Sequence, residues 1–80
     1  LLTEEYRHQL TRTLNEKAEQ TKQTMRRARE DCWNKIQDAQ KAKEITEDDK
    51  FRGKDELQKV VDEYNKKIKD LIDRKLQEIS

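Results

Sequence analysis

The sequence predicts an all-α fold, a long antiparallel helical hairpin that supplies two helices of a three-helix bundle. Three observations point there. Proline is absent and Gly53 is the single glycine, so nearly every strong helix breaker is missing from the 80 residues. Apolar residues recur at steps of three and four along two long runs, the period of one helix face. Between the runs sits one dense cluster of cap and turn residues. Composition alone would read differently, because 46% charged and 30% hydrophobic residues suit a disordered chain when the apolar ones are scattered. Here they are periodic.

The first run is Leu2, Tyr6, Leu10, Leu14, Ala18, Thr21, Met25, Ala28, Cys32, Ile36 and Ala39. Its average step is close to 3.6, so a single helix carries all of these residues on one face. Thr3 is the predicted N-cap, since its hydroxyl can accept from an orphan amide, and Glu4 and Glu5 suit the positive helix start. A helix from Thr3 to about Lys43 would be roughly 60 Å long at 1.5 Å per residue.

The predicted break is Lys43-Glu44-Ile45-Thr46-Glu47-Asp48-Asp49, with the chain turning at residues 44–46. Thr46 and Asp49 approximate a capping box with aspartate in place of the usual Glu or Gln, and Glu47 and Asp48 fill the first turn. Ile45 can act as a hydrophobic staple against Lys50 methylenes or Phe51. So short a connection makes the helices antiparallel neighbours. The second helix, residues 47–79, carries a seam of Leu57, Val61, Tyr64, Ile68, Leu71 and Lys75 or Leu76, widened by Val60, Ile72 and Ile79. That spacing is a heptad pattern, which packs helices at about +20°. Gly53 near its start costs about 1 kcal/mol relative to alanine, and allows either a close helix approach or a slight bend.

Two helices leave part of these wide stripes in water, and patches of that kind mark contact surfaces. Eighty residues are also few for a self-sufficient core. A further helix, in cis or from a second copy through self-association, is expected to complete the bundle. The chain opens on Leu1 rather than methionine, so preceding residues are expected as well.

Net charge is +1, but its placement is uneven. Residues 6–29 hold seven bases against two acids, and residues 30–49 hold seven acids against three lysines. The basic segment is what an anionic partner would meet. Within it, Lys22, Arg26 and Arg29 follow the i, i+4, i+7 rule and form one row beside the apolar stripe. Such a row can meet a phosphate backbone, and the planar guanidinium suits phosphate bidentately. Basic rows on helices are more often plain solvated faces. Trp33, one turn after Arg29, can hold the Arg29 guanidinium, stack on a base, or simply pack at the edge of the missing helix's groove.

Other chemistry is poorly supplied. Cys32 is alone and sits on the predicted core stripe, where a lone cysteine acts as a small hydrophobe. His8 lacks partners at ligand spacing, and Asp48 and Asp49 lack the glycine and terminal glutamate of a calcium loop. Neither a Gly-rich phosphate loop nor a Ser/His/Asp set is present, so the sequence is read as a non-enzyme with no catalytic residue, metal or cofactor. No apolar run approaches the ~20 residues that span a bilayer, and a membrane-surface helix suits these faces less well than mutual packing. The class that competes with binding a phosphate backbone is a structural coiled-coil module for protein partners. Such a module should intersperse both signs at its flanking positions, whereas residues 6–29 are lopsidedly basic.

Several stretches together resemble the ribosome recycling factor family. They are Leu2-Thr3-Glu4-Glu5-Tyr6-Arg7, Ala18-Glu19-Gln20, Arg26-Arg27-Ala28-Arg29-Glu30-Asp31, the turn Lys43 to Asp49, Leu57-Gln58-Lys59 and Lys67-Ile68. The resemblance covers essentially the whole chain without a gap. It implies an L-shaped factor in which a small β-rich domain is inserted between the first and second helices of a three-helix bundle. This chain would be the second and third helices, with the first helix and the β domain absent from it. The resemblance further implies binding to large-subunit ribosomal RNA and, with elongation factor G, splitting of the post-termination ribosome. The setting would be the bacterial cytoplasm or an organelle's matrix or stroma. It assigns RNA contact to Arg29 above all, then Arg26, and more weakly Arg7, and it favours the phosphate-binding reading for the whole row, Lys22 included. Glu30 departs from the family's usual second arginine, which lowers the expected salt dependence.

Overall fold

The computed structural model describes residues 3–80, and the predicted stripe member Leu2 lies outside them. Two helices make up the fold. Helix α1 runs Glu4–Lys41 and helix α2 runs Glu47–Ile79, packed against each other along their length. The body measures 60 × 16 × 10 Å between Cα extremes, and its radius of gyration is 18.3 Å. A globule of this length would have a radius of gyration near 11.6 Å by the usual scaling, about two thirds of that value.

Local capping sets both helix starts. The Thr3 hydroxyl accepts from the Tyr6 amide at 3.1 Å, with Glu4 and Glu5 in the first turn. At the second start the capping box closes in both directions: Asp49 N–H donates to Thr46 Oγ1 at 3.0 Å, and Thr46 N–H donates to Asp49 Oδ2 at 3.1 Å. That backbone donation, the Thr46 hydroxyl and the neighbouring Arg52 guanidinium together hold the Asp49 carboxyl below the usual aspartate range. Ile45 and Lys50 are half-buried on either side of the cap, while Phe51 stays exposed with the Lys50 ammonium 5.2 Å from its ring centre.

The first helix ends two residues earlier than the expected Lys43. Ala42 N–H still donates to Asp38 O, but Lys43 takes φ 61°, the left-handed conformation that closes a helix, and Glu44 N–H returns to Ala39 O. The position lacks the glycine that normally announces such a stop, so the sequence pattern overshoots it.

No described residue is fully buried, and the chain exposes 6902 Å². A compact monomer of its mass would expose about 5,100 Å². The half-buried apolar seam includes Leu10, Leu14, Ala18, Met25, Trp33, Ile36 and Ala39 on α1 and Leu57, Val61, Ile68, Ile72, Leu76 and Ile79 on α2. Gly53 packs closely against α1, because a Cβ there would meet Ile36 Cδ1 at 3.4 Å. Three expectations need correction. Tyr64 and Leu71, read as seam residues, are 52% and 49% exposed, and the adjacent row of Ile72 and Leu76 takes their place. Cys32, read as a core residue, is exposed. The second helix carries two neighbouring apolar rows, and packing selects one of them.

Candidate nucleic-acid interface

The grooves beside the seam differ in chemistry. At 3.6 residues per turn, Lys22, Arg26 and Arg29 fall to one side of the seam residues Ala18 and Met25, while Lys17 and Thr21 fall to the other. On α2, Gln58, Asn65 and Lys69 share the first side and Leu71 and Lys75 the second, because the helices are antiparallel.

The first groove, about 460 Å³, is lined by Lys22, Arg26, Arg29 and Lys69, with Met25, Val61, Ile68, Gln58 and Asn65 between them. It continues past Arg29 and Gln58 into a smaller cleft bounded by Glu30, Trp33, Lys54 and Leu57. Lys22, Arg26, Arg29, Lys54 and Lys69 are exposed, so these cations keep their water and are available to an anion. Concentrating like charge along a shallow groove raises the local potential and draws anionic chains. Apolar methylenes between the cations offer contact area to sugar or base edges.

Three of the four contact residues expected from the sequence, Lys22, Arg26 and Arg29, therefore meet in one groove. Arg7 does not. It sits on the seam about 22 Å away from Lys22 along α1 at 1.5 Å per residue. It is half-buried, and its Nε is buried with no hydrogen-bond partner among the described residues. Sequence reasoning missed Lys69 and Lys54, both contributed by α2. Their neighbours in sequence carry mixed charge, so a linear reading gives them no distinction, and only the helix pairing brings them to the basic row. Trp33 is half-buried, and the cation beside its ring is Lys54, with Nζ 5.4 Å from the centroid, rather than Arg29.

The second groove, about 340 Å³, is lined by Leu14, Ala18, Thr21, Ile68, Leu71 and Ile72, with Lys17 and Lys75 as its charged members. The Thr21 hydroxyl donates to Lys17 O at 2.8 Å, so it is satisfied within its own helix. Exposed Val60 and Tyr64 extend the same side of α2. Ile68 lines both grooves and forms the wall between them.

Other chemistry is sparse among the described residues. No group of three or more His, Cys, Asp or Glu side chains is placed to hold a metal ion, and no helix is long and apolar enough to cross a membrane. His8 Nε2 lies 3.6 Å from Glu4 Oε1, one turn away and well exposed.

Comparison with known proteins matches residues 1–79 to the family described as Ribosome recycling factor. The chain is 42% identical over 79 residues to a protein of Natranaerobius thermophilus named Ribosome-recycling factor, covering 99% of this chain and 43% of that protein. A protein of the same name from Xylella fastidiosa is 38% identical over 78 residues, covering 98% and 42%. One from Azoarcus sp. is 40% identical over 78 residues, also covering 98% and 42%. The chain thus spans less than half the length of these relatives. No solved structure matches it.

Proposed function

Because the chain belongs to the ribosome recycling factor family, we propose that it is the RNA-facing part of a translation factor that recycles ribosomes. Lys22, Arg26 and Arg29 bind large-subunit ribosomal RNA through phosphate contacts, with Arg29 the strongest, and Arg7 contributes less. The whole factor acts with elongation factor G to split the post-termination ribosome, in the bacterial cytoplasm or in an organelle. The rest of the protein supplies a first bundle helix, which covers the apolar groove, and a small β-rich domain. In this reading the chain is a binding and shaping element and performs no bond chemistry.

The observation that carries the reading is the gathering of Lys22, Arg26 and Arg29 with Lys69 in one exposed groove. A plain coiled-coil module would place mixed charge on both flanks of the seam. The apolar second groove supports a protein contact as well, but on the other side of the hairpin.

Arg29→Ala and Lys66→Ala each remove one positive charge, and Lys66 stands outside the groove among Asp62, Glu63 and Asp70. In the full-length factor, Arg29→Ala is expected to weaken large-subunit binding by about 1.5–3 kcal/mol, the size of a lost charge-assisted hydrogen bond. Lys66→Ala should change it by a few tenths, roughly the effect of an ordinary surface substitution. Equal losses at two salt concentrations would mean that affinity follows net charge alone.

A further inference from the structure

The cleft at the turn-proximal end of the basic groove holds a residue pair that sequence reading did not foresee. Trp33 of α1 is half-buried, and the ammonium of Lys54, from α2, stands 5.4 Å from its ring centre. Lys54 is exposed and has no ion-pair partner among the described residues. Glu30 lines the same cleft, at the position where α1 breaks its row of cations after Arg29. The cleft joins the larger groove through Arg29 and Gln58, which line both.

From this geometry we infer that the RNA-binding track crosses from α1 to α2: Lys54, steadied over Trp33, makes a phosphate contact that restores the positive charge offset by Glu30. The inference rests on the RNA-binding reading above and extends it to a second helix. A lysine on a flexible stem loses much side-chain freedom when it is fixed on a ligand. An aromatic face that already attracts the ammonium restricts that freedom beforehand. Trp33 is thus a positioning residue and Lys54 the contact. Their placement lengthens the track as well, since Lys54 and Lys69 lie 15 residues apart on α2, roughly 22 Å at the helical rise. Lys22, Arg26 and Arg29 fill the interval from the opposite helix.

The test uses the full-length factor and purified large ribosomal subunits, with affinity measured at 50 and 200 mM monovalent salt. Lys59 is the control, an exposed lysine of the same helix that lies outside the groove and 3.6 Å from Glu56. Lys54→Gln should weaken binding about tenfold at the lower salt, the low end for a charge-assisted contact. It should also reduce the affinity lost between the two salts by about threefold, the share of one phosphate contact. Lys59→Gln should do neither. Trp33→Leu should weaken binding in the same direction by a smaller factor, and Trp33→Phe, which keeps an aromatic face, should restore most of it. If Lys54→Gln behaves like Lys59→Gln while Arg29→Ala still weakens binding, the inference fails and the α1 reading stands. If all three substitutions behave alike, the RNA-binding reading itself fails and the inference falls with it.

Discussion

On one face of the hairpin, Lys22, Arg26, Arg29 and Lys69 line a groove open to water; on the other, Leu14, Ala18, Leu71 and Ile72 line a groove that is almost entirely apolar. Both are cut by the same two helices and share Ile68 as a wall. Water treats them differently. Exposed cations lose little by remaining hydrated until a phosphate displaces water and counterions. Exposed Val60, Tyr64 and Leu71 gain about 25 cal/mol for every Å² removed from water, so that side favours a permanent cover. The difference separates two kinds of interaction in one thin scaffold, a reversible electrostatic one and a lasting hydrophobic one.

The largest expected effect belongs to the apolar face. Leu71 is 49% exposed in the hairpin, so Leu71→Ala should change the stability of the chain alone by under ~1 kcal/mol. In the full-length factor, where the proposed first bundle helix covers that face, the same substitution should cost about 2–4 kcal/mol, the usual range for a buried leucine. Urea denaturation of both proteins reads the difference. Small, equal losses would show that the face stays open and that the two grooves are less distinct than proposed.

A smaller effect is expected at the turn, which sets the register of both grooves. Thr46→Ala removes the hydroxyl that caps α2 and should cost about 1 kcal/mol. The cap also sets a pH dependence. Asp49 has its carboxyl lowered from the ordinary 3.8, so its contribution is present above that value and fades as pH falls through the folded-state value. Denaturation midpoints of the parent chain should therefore drop below pH about 4, and those of Thr46→Ala should drop less. Parallel curves would remove Asp49 from the account of the turn.

What the sequence made legible was local. Thr3, Thr46 and Asp49 sit where their caps predict, because capping depends on residues three apart in the chain. Apolar spacing likewise places both helices. The α2 seam was legible only in part: Leu57, Val61 and Ile68 lie on it as their spacing predicts, but Tyr64 and Leu71 do not, since Val60, Tyr64 and Leu71 form a row as apolar as Val61, Ile68 and Ile72. Which row faces α1 depends on the fit between helices, including the approach of Gly53 to Ile36. The basic row of α1 was visible for the same local reason, as a spacing of four and three. Lys54 and Lys69 join it only through the pairing of helices, and Trp33 takes its cation from the opposite helix for that reason too.

The central claim, that the basic side meets RNA and the apolar side does not, can be tested on unmodified protein by lysine footprinting. The full-length factor would be treated with an amine-acylating reagent, with and without large ribosomal subunits, and each lysine's modification read by mass spectrometry. Lys22 and Lys69, on the basic groove, should lose reactivity severalfold when the subunit is present. Lys17 and Lys75, beside the apolar groove, should keep whatever reactivity the free factor shows. Protection of Lys17 and Lys75 by the subunit, with Lys22 and Lys69 unchanged, would contradict the account and assign the ribosome to the opposite face.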